Sequence, residues 1–306
     1  MSDIARRHHV LRRLALWCAV MVLAVTSLSA FIRLSKAGLG CADWPACYGQ
    51  SLRQLQQGVP VSAEEQTATA AARLVHRITA VTALLLVITM LAVCFGPSPR
   101  LARESWQALA LLVLALFLAV LGRWSSQARV PAVAMGNLLG GILMLALCVR
   151  LALADKPQRG LRVWAALAAL LLAAQVGLGG LVSASYAGLS CSSGCDLSAL
   201  LRSADWGTLN PWREPVLSAT PPVNPSGMLA HGLHRLGGVL LVVLLVPTTW
   251  SAWRNGRPRR AVLLLVLLAA QITLGLAMGA WALPLALALL HNFLAAALLT
   301  TLVTLV

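Results

Sequence analysis

The sequence predicts an all-α integral membrane protein. Its eight transmembrane helices would form two tandem four-helix bundles related by a parallel internal repeat, with both termini cytoplasmic. Three observations carry this reading. Of 306 residues, 59% are apolar and 11% charged, against roughly 45–50% and about 25% in a soluble domain. The mean hydropathy is +0.82, and the apolar residues gather into runs of spanning length. The positive charges, finally, are shared unevenly between alternate connections.

The runs cover about 14–32, 74–95, 106–122, 131–149, 163–184, 227–249, 261–281 and 284–306, each near the roughly 20 residues that cross a hydrocarbon core. Val25 to Ala30 has the small-residue pattern of a signal-peptidase site. The run is longer than a signal h-region, so it reads as a retained helix. The net charge is +15, from 24 Lys and Arg against 9 acids. Fourteen positive charges fall on the N-terminus and the 96–105, 150–162 and 254–260 connections; eight are spread over much longer connections on the other side. The positive-inside rule then puts both termini in the cytoplasm. Topology thus accounts for the basic balance without nucleic acid. The chain shows no long Arg- and Ser-rich transit segment, which favours a bacterial inner (plasma) membrane.

The two long outer connections, about 33–73 and 185–226, hold Cys41 with Cys47 and Cys191 with Cys195. Disulfides persist on that side of the membrane, so pairing within each loop is the expectation and four free thiols the alternative. Cys18, Cys94 and Cys148 lie within spans and read as packing residues.

The halves 1–150 and 151–306 echo each other. Ala37-Gly38-Leu39-Gly40-Cys41 returns as Ala187-Gly188-Leu189-Ser190-Cys191, and Leu74-Val75-His76-Arg77 as Gly232-Leu233-His234-Arg235. Pro131 and Pro284 open the fourth and eighth spans, and Leu121-Gly122 resembles Leu274-Gly275. Corresponding spans cross in the same direction, which defines a parallel repeat.

Ionisable residues within spans are costly and point to function. His234 and His291 each lie seven residues into an inward-running helix, which places both imidazoles roughly 10 Å deep. Two neutral imidazoles at equal depth on different helices suit the two axial positions of a haem. Hydrogen bonding between helices is the plainer alternative. Zinc is disfavoured, because neither histidine has a carboxylate or cysteine nearby in sequence. His76 lies early in span two. Gly237 and Gly238 share the face of His234, leaving room for a flat ring or for close helix approach. Arg77 and Arg235 follow histidines near the outer face and would pair with propionates or snorkel to headgroups. His231 is one turn outward of His234, within reach of a haem edge or propionate.

These residues resemble the haem A synthase family over nearly the whole chain. The motifs are Arg33-Leu34, the Ala37–Cys41 run, Asp43-Trp44-Pro45, Cys47-Tyr48-Gly49, His76-Arg77, Gln175 to Gly180, Tyr186 to Cys191, His231 with His234-Arg235, Leu283-Pro284 and His291-Asn292. The resemblance implies an enzyme that oxidises the C8 methyl of haem O to the formyl of haem A during cytochrome oxidase assembly. It implies a haem b on His234 and His291 in the C-terminal half. It also implies a substrate haem O with His76 as one ligand in the N-terminal half, and an outer-loop redox or structural pair at Cys41 and Cys47. The implied partners are the lipid bilayer, a haem O-supplying synthase and an electron acceptor; a homo-oligomer is left open.

Two positions depart from the family pattern. Arg73 stands three residues before His76, where the family has a glutamate, and Glu64 and Glu65 lie too far upstream to share that turn. Asn137 stands where the family has a fourth histidine. A second reading follows from these departures: a non-catalytic haem-b-binding membrane protein serving electron transfer or oxidase assembly. A haem-free transporter is the third, disfavoured because no acidic residue marks an ion path within the spans.

Overall fold

The computed structural model describes residues 3–59, 69–96, 100–125, 128–153, 159–191, 205–218, 220 and 223–306. Among them are nine α-helices and no strand: α1 (Asp3–Lys36), α2 (Gln50–Gln56), α3 (Ala70–Phe95), α4 (Ala102–Trp124), α5 (Pro131–Ala152), α6 (Arg159–Ala184), α7 (Met228–Arg254), α8 (Pro258–Ala280) and α9 (Leu285–Val303). All but α2 are long and apolar enough to cross a membrane; the chain is a multi-pass membrane protein. Pro131 and Pro258 occupy first-turn positions, where a missing N–H costs nothing and the fixed φ suits the helix. Pro284 is the N-cap of α9. The short α2 on the first long connection was not foreseen.

The helices form two rings. In one, α1 touches α3, α3 touches α4, α4 touches α5 and α5 returns to α1; α6, α7, α8 and α9 repeat that order in the other. The rings meet along α5–α6, α1–α9 and α5–α9. Helices α3 and α5 therefore face each other across the first ring, and α7 and α9 across the second.

Buried positions recur between the rings at constant offsets. Leu11, Ala15, Cys18 and Val22 of α1 correspond to Leu161, Ala165, Ala168 and Leu172 of α6, 150 positions on. Ala83, Val87, Met90 and Cys94 of α3 correspond to Leu241, Leu245, Thr248 and Ala252 of α7, 158 on. Ala108 and Leu111 return as Ala261 and Leu264, 153 on. Gly141, Met144, Leu145 and Cys148 return as Ala295, Leu298, Leu299 and Leu302, 154 on.

On α3, α4 and α8 burial is confined to the half towards the short basic connections, whereas α1, α6 and α7 are also buried at the other end, at Ala30 and Leu34, Gly180 to Val182, and Leu229, Ala230 and Gly232. No residue of α3 before Ala83 is buried, nor any of α4 after Leu111 or of α8 after Leu268. The stretches 132–139 of α5 and 289–294 of α9 are likewise without a buried side chain. The large apolar side chains exposed in these stretches, such as Leu74, Ile78 and Val120, are of the kind a bilayer covers.

The long connections cap that face together. Leu34, Ala37, Leu39 and Tyr48 pack with Leu189 and Val223 of the second connection. Cys41 and Cys47 form a disulfide. Cys191 is disulfide-bonded too, while Cys195 lies outside the described residues. Cys18, Cys94 and Cys148 are free and buried, as packing residues should be. The Arg53 guanidinium donates to the carbonyls of Tyr48 (3.0 Å) and Ser218 (3.2 Å), tying the two connections together. The Tyr48 ring lies between Trp44 at 5.2 Å and Tyr186 at 5.5 Å, tilted by 57° and 59° to them.

Burial, with Tyr186 adding to it, pushes the Tyr48 phenol above its ordinary value; the Gly188 backbone and Arg33 act more weakly the other way. A value raised in the folded state means that the neutral phenol stabilises the cap below the ordinary tyrosine range of about 10, and that this stability is lost as pH rises through the folded value. Alkaline titration followed by phenolate absorbance should therefore show a late wave that coincides with loosening of the cap. Tyr48→Phe should remove it. A Tyr48 that ionises fully in its ordinary range with the fold intact would contradict this packing.

Candidate functional site

Each site residue lies on a buried stripe, at its half towards the long connections. His234 continues the stripe of Gly237, Leu241, Leu245 and Thr248 on α7, and His76 stands at the same offset above Ala83, Val87 and Met90 on α3. His291 lies above Ala295 and Leu298 on α9. Helical periodicity carries a stripe that faces the ring interior at one end towards the interior at the other. The two C-terminal histidines thus stand on facing helices of the second ring.

Both imidazoles rest on glycines of neighbouring helices. A methyl group added at Gly179 of α6 would meet Cε1 of His234 at 3.0 Å, and one at Gly275 of α8 would meet Cε1 of His291 at 3.5 Å. The Nδ1 atoms of both rings are buried without a hydrogen bond, and the imidazoles lie near the backbone of Gln175 and of Gln271 respectively. A histidine that binds a metal through Nε2 commonly directs its other nitrogen at a backbone carbonyl. The arrangement fits a pair of imidazoles offered to one iron. Among the described residues there is no cluster of three or more His, Cys, Asp or Glu that would hold a bare metal ion.

The glycines after His234 have separate surroundings. Gly237 receives the side-chain amide of Gln175, whereas a side chain at Gly238 would meet nothing within 4 Å. Close helix approach thus explains the first, and the second borders open space. Nδ1 of His231 lies 3.0 Å from the Ala187 carbonyl. That oxygen only accepts, so Nδ1 carries the proton and Nε2 keeps its lone pair. The Arg235 guanidinium lies by Gly279 of α8, 3.6 Å from where a methyl there would sit. Arg77, at the corresponding place in the first ring, is exposed. Gly179 and Gly275 as supports for the imidazoles were missed in the sequence; the Gln175–Gly180 motif marked the first without revealing its role.

In the first ring His76 on α3 faces α5, whose stripe of Gly141, Met144 and Cys148 continues outward to Asn137. Arg73, half-buried, sits one turn outward of His76. It occupies the place that His231 holds in the second ring.

Fold and site together define a polytopic membrane protein of two four-helix rings, one of which carries His234 and His291 on facing helices. Residues 12–303 match the COX15-CtaA family, described as cytochrome oxidase assembly protein. Heme A synthase from Shewanella oneidensis is 31% identical over 308 residues, spanning 93% of this chain and 92% of that protein. The chain belongs to this family of haem A synthases.

Proposed function

We propose that the protein is an integral-membrane haem A synthase, oxidising the C8 methyl of haem O to a formyl group for cytochrome oxidase biogenesis. In this reading 1–150 and 151–306 are copies of one four-helix unit, the second holding a resident haem b and the first taking haem O as substrate. The observation that carries it is the placement of His234 and His291 on facing helices of the second ring, each resting on a glycine. The duplication is supported by the recurrent buried positions. Arg33 and Ser183, 150 positions apart, also touch through a hydrogen bond, as equivalent residues do only near a two-fold axis. The basic face would be cytoplasmic, with both termini, in a bacterial inner membrane.

His234 and His291 would hold a haem b, which would supply one-electron redox chemistry for removing electrons from the methyl group. The remaining work falls to this chain's own residues. His76 orients the substrate by its iron. Arg77 and Arg235, near the outer face, neutralise propionates. Converting the methyl to a formyl group takes one oxygen atom from water and releases four protons and four electrons, the electrons passing on to the acceptor. A haem O-supplying synthase and an electron acceptor are the implied partners.

The reading is tested by co-expressing the chain with a haem O source and chromatographing the extracted haems. Haem A among the products is the expected result. Haem b with untouched haem O would instead favour a non-catalytic haem-b protein, the reading to which Arg73 and Asn137 lend weight. Gly179→Leu provides a structural check, since overpacking against His234 costs about 1–3 kcal/mol. That corresponds to a fall in haem b affinity of roughly 5- to 150-fold, read as the haem-to-protein ratio of the purified variant.

A further inference from the structure

A paired-imidazole arrangement does not fit the first ring: the residue equivalent to His291, 154 positions earlier, is Asn137, whose side chain has no strong affinity for haem iron. Asn137 lies on the interior stripe of α5, above Gly141, which abuts Thr26 of α1, and above Met144 and Cys148 in the packed core. Asn292 within α9 and Asn255 at the C-cap of α7 show what such a side chain ordinarily does. Asn255 and Asn292 each donate to the carbonyl four residues back, at 2.7 Å, the usual local outlet for a polar group in a helix. Asn137 makes no side-chain hydrogen bond among the described residues, and neither does His76. Asn137 is half-buried, with two amide N–H donors unspent. No carboxylate among the described residues bridges to Arg73, so the mouth of this site is positive.

We propose that the haem site of the first ring is held on one face only, by His76, and that the Asn137 face is a binding site for a small diatomic ligand of ferrous haem. The ligand class is a neutral or anionic diatomic that accepts a hydrogen bond, such as carbon monoxide, dioxygen, nitric oxide or cyanide. The Asn137 amide donates to the bound molecule, and Arg73 adds a favourable field for developing negative charge. The second ring, with imidazoles on both faces, leaves no such position. This inference rests on the proposal that the first ring takes a haem.

The test uses the full-length protein purified with both haems, reduced and exposed to carbon monoxide. About half of the haem should shift to a carbonyl-type spectrum while the other half stays low-spin. Asn137→His should abolish the carbonyl-binding fraction and convert it to a second low-spin haem, a gain of signal that a misfolded variant cannot give. Asn137→Leu should keep carbon monoxide binding but raise the C–O stretching frequency, because the donor is gone. Two haems of which neither binds carbon monoxide would overturn the open-face site while leaving the synthase reading standing. A single haem, lost entirely in His234→Ala even when haem O is co-supplied, would overturn the first-ring site, while the synthase reading stands or falls on haem A formation.

Discussion

His76→Ala should lower haem A formation by on the order of 100-fold or more and leave the resident low-spin haem b largely in place. Outer-shell residues of metal sites alone are worth about 10–100-fold, and His76 is the one imidazole the first ring offers. The stripe beneath it, Ala83 to Cys94, stays buried without it, so the ring should keep its packing. Haem chromatography of the co-expressed variant gives the product, and the reduced-minus-oxidised spectrum gives the resident haem. Parallel loss of both would mean that the rings do not divide the work.

Gly38→Ala should be the most disruptive small substitution on the outer face. Gly38 has φ +101°, and an added methyl would sit 2.6 Å from the Cys47 carbonyl oxygen. Backbone strain of about 1–3 kcal/mol would add to overpacking of similar size, against an atom that cannot turn aside. The cap should then come apart around Cys41–Cys47, exposing that disulfide to reductant and lowering the thermal midpoint in detergent. Gly58, also at positive φ but with nothing within 4 Å of an added methyl, should cost less when changed to alanine. Equal effects at the two glycines would show that the contact with Cys47 does not matter.

The eight spans, the opening prolines of α5 and α9 and the depth-matched His234 and His291 could be read from the chain because each rests on local chemistry. Run length sets a span, proline sets a first turn, and an imidazole is conspicuous among aliphatic residues. The interior stripes were not legible. In a bilayer the lipid-facing and core-facing sides of a helix are equally apolar, so Ala83 and Leu85 look alike although one is 4% and the other 58% exposed. The structural echo between rings is hidden for the same reason: Met90 and Thr248 share a place without sharing chemistry. The glycines under the imidazoles carry no signal of their own, since helix approach and ligand space call for the same residue. Gly237 and Gly238 show this side by side, one filled by Gln175 and the other open. The outer motifs were visible as repeated words, but the tie between Arg53 and Ser218 and the contact of Tyr48 with Tyr186 link distant connections that no local pattern encodes.

The measurement that bears most directly on the site is the low-temperature EPR and optical spectrum of purified wild type, His234→Ala, His291→Ala and His76→Ala. Wild type should show a low-spin haem b signal with two imidazole ligands. It should vanish in either C-terminal variant and persist in His76→Ala. A signal that disappears only when His76 is changed would place the resident haem in the first ring and contradict the assignment.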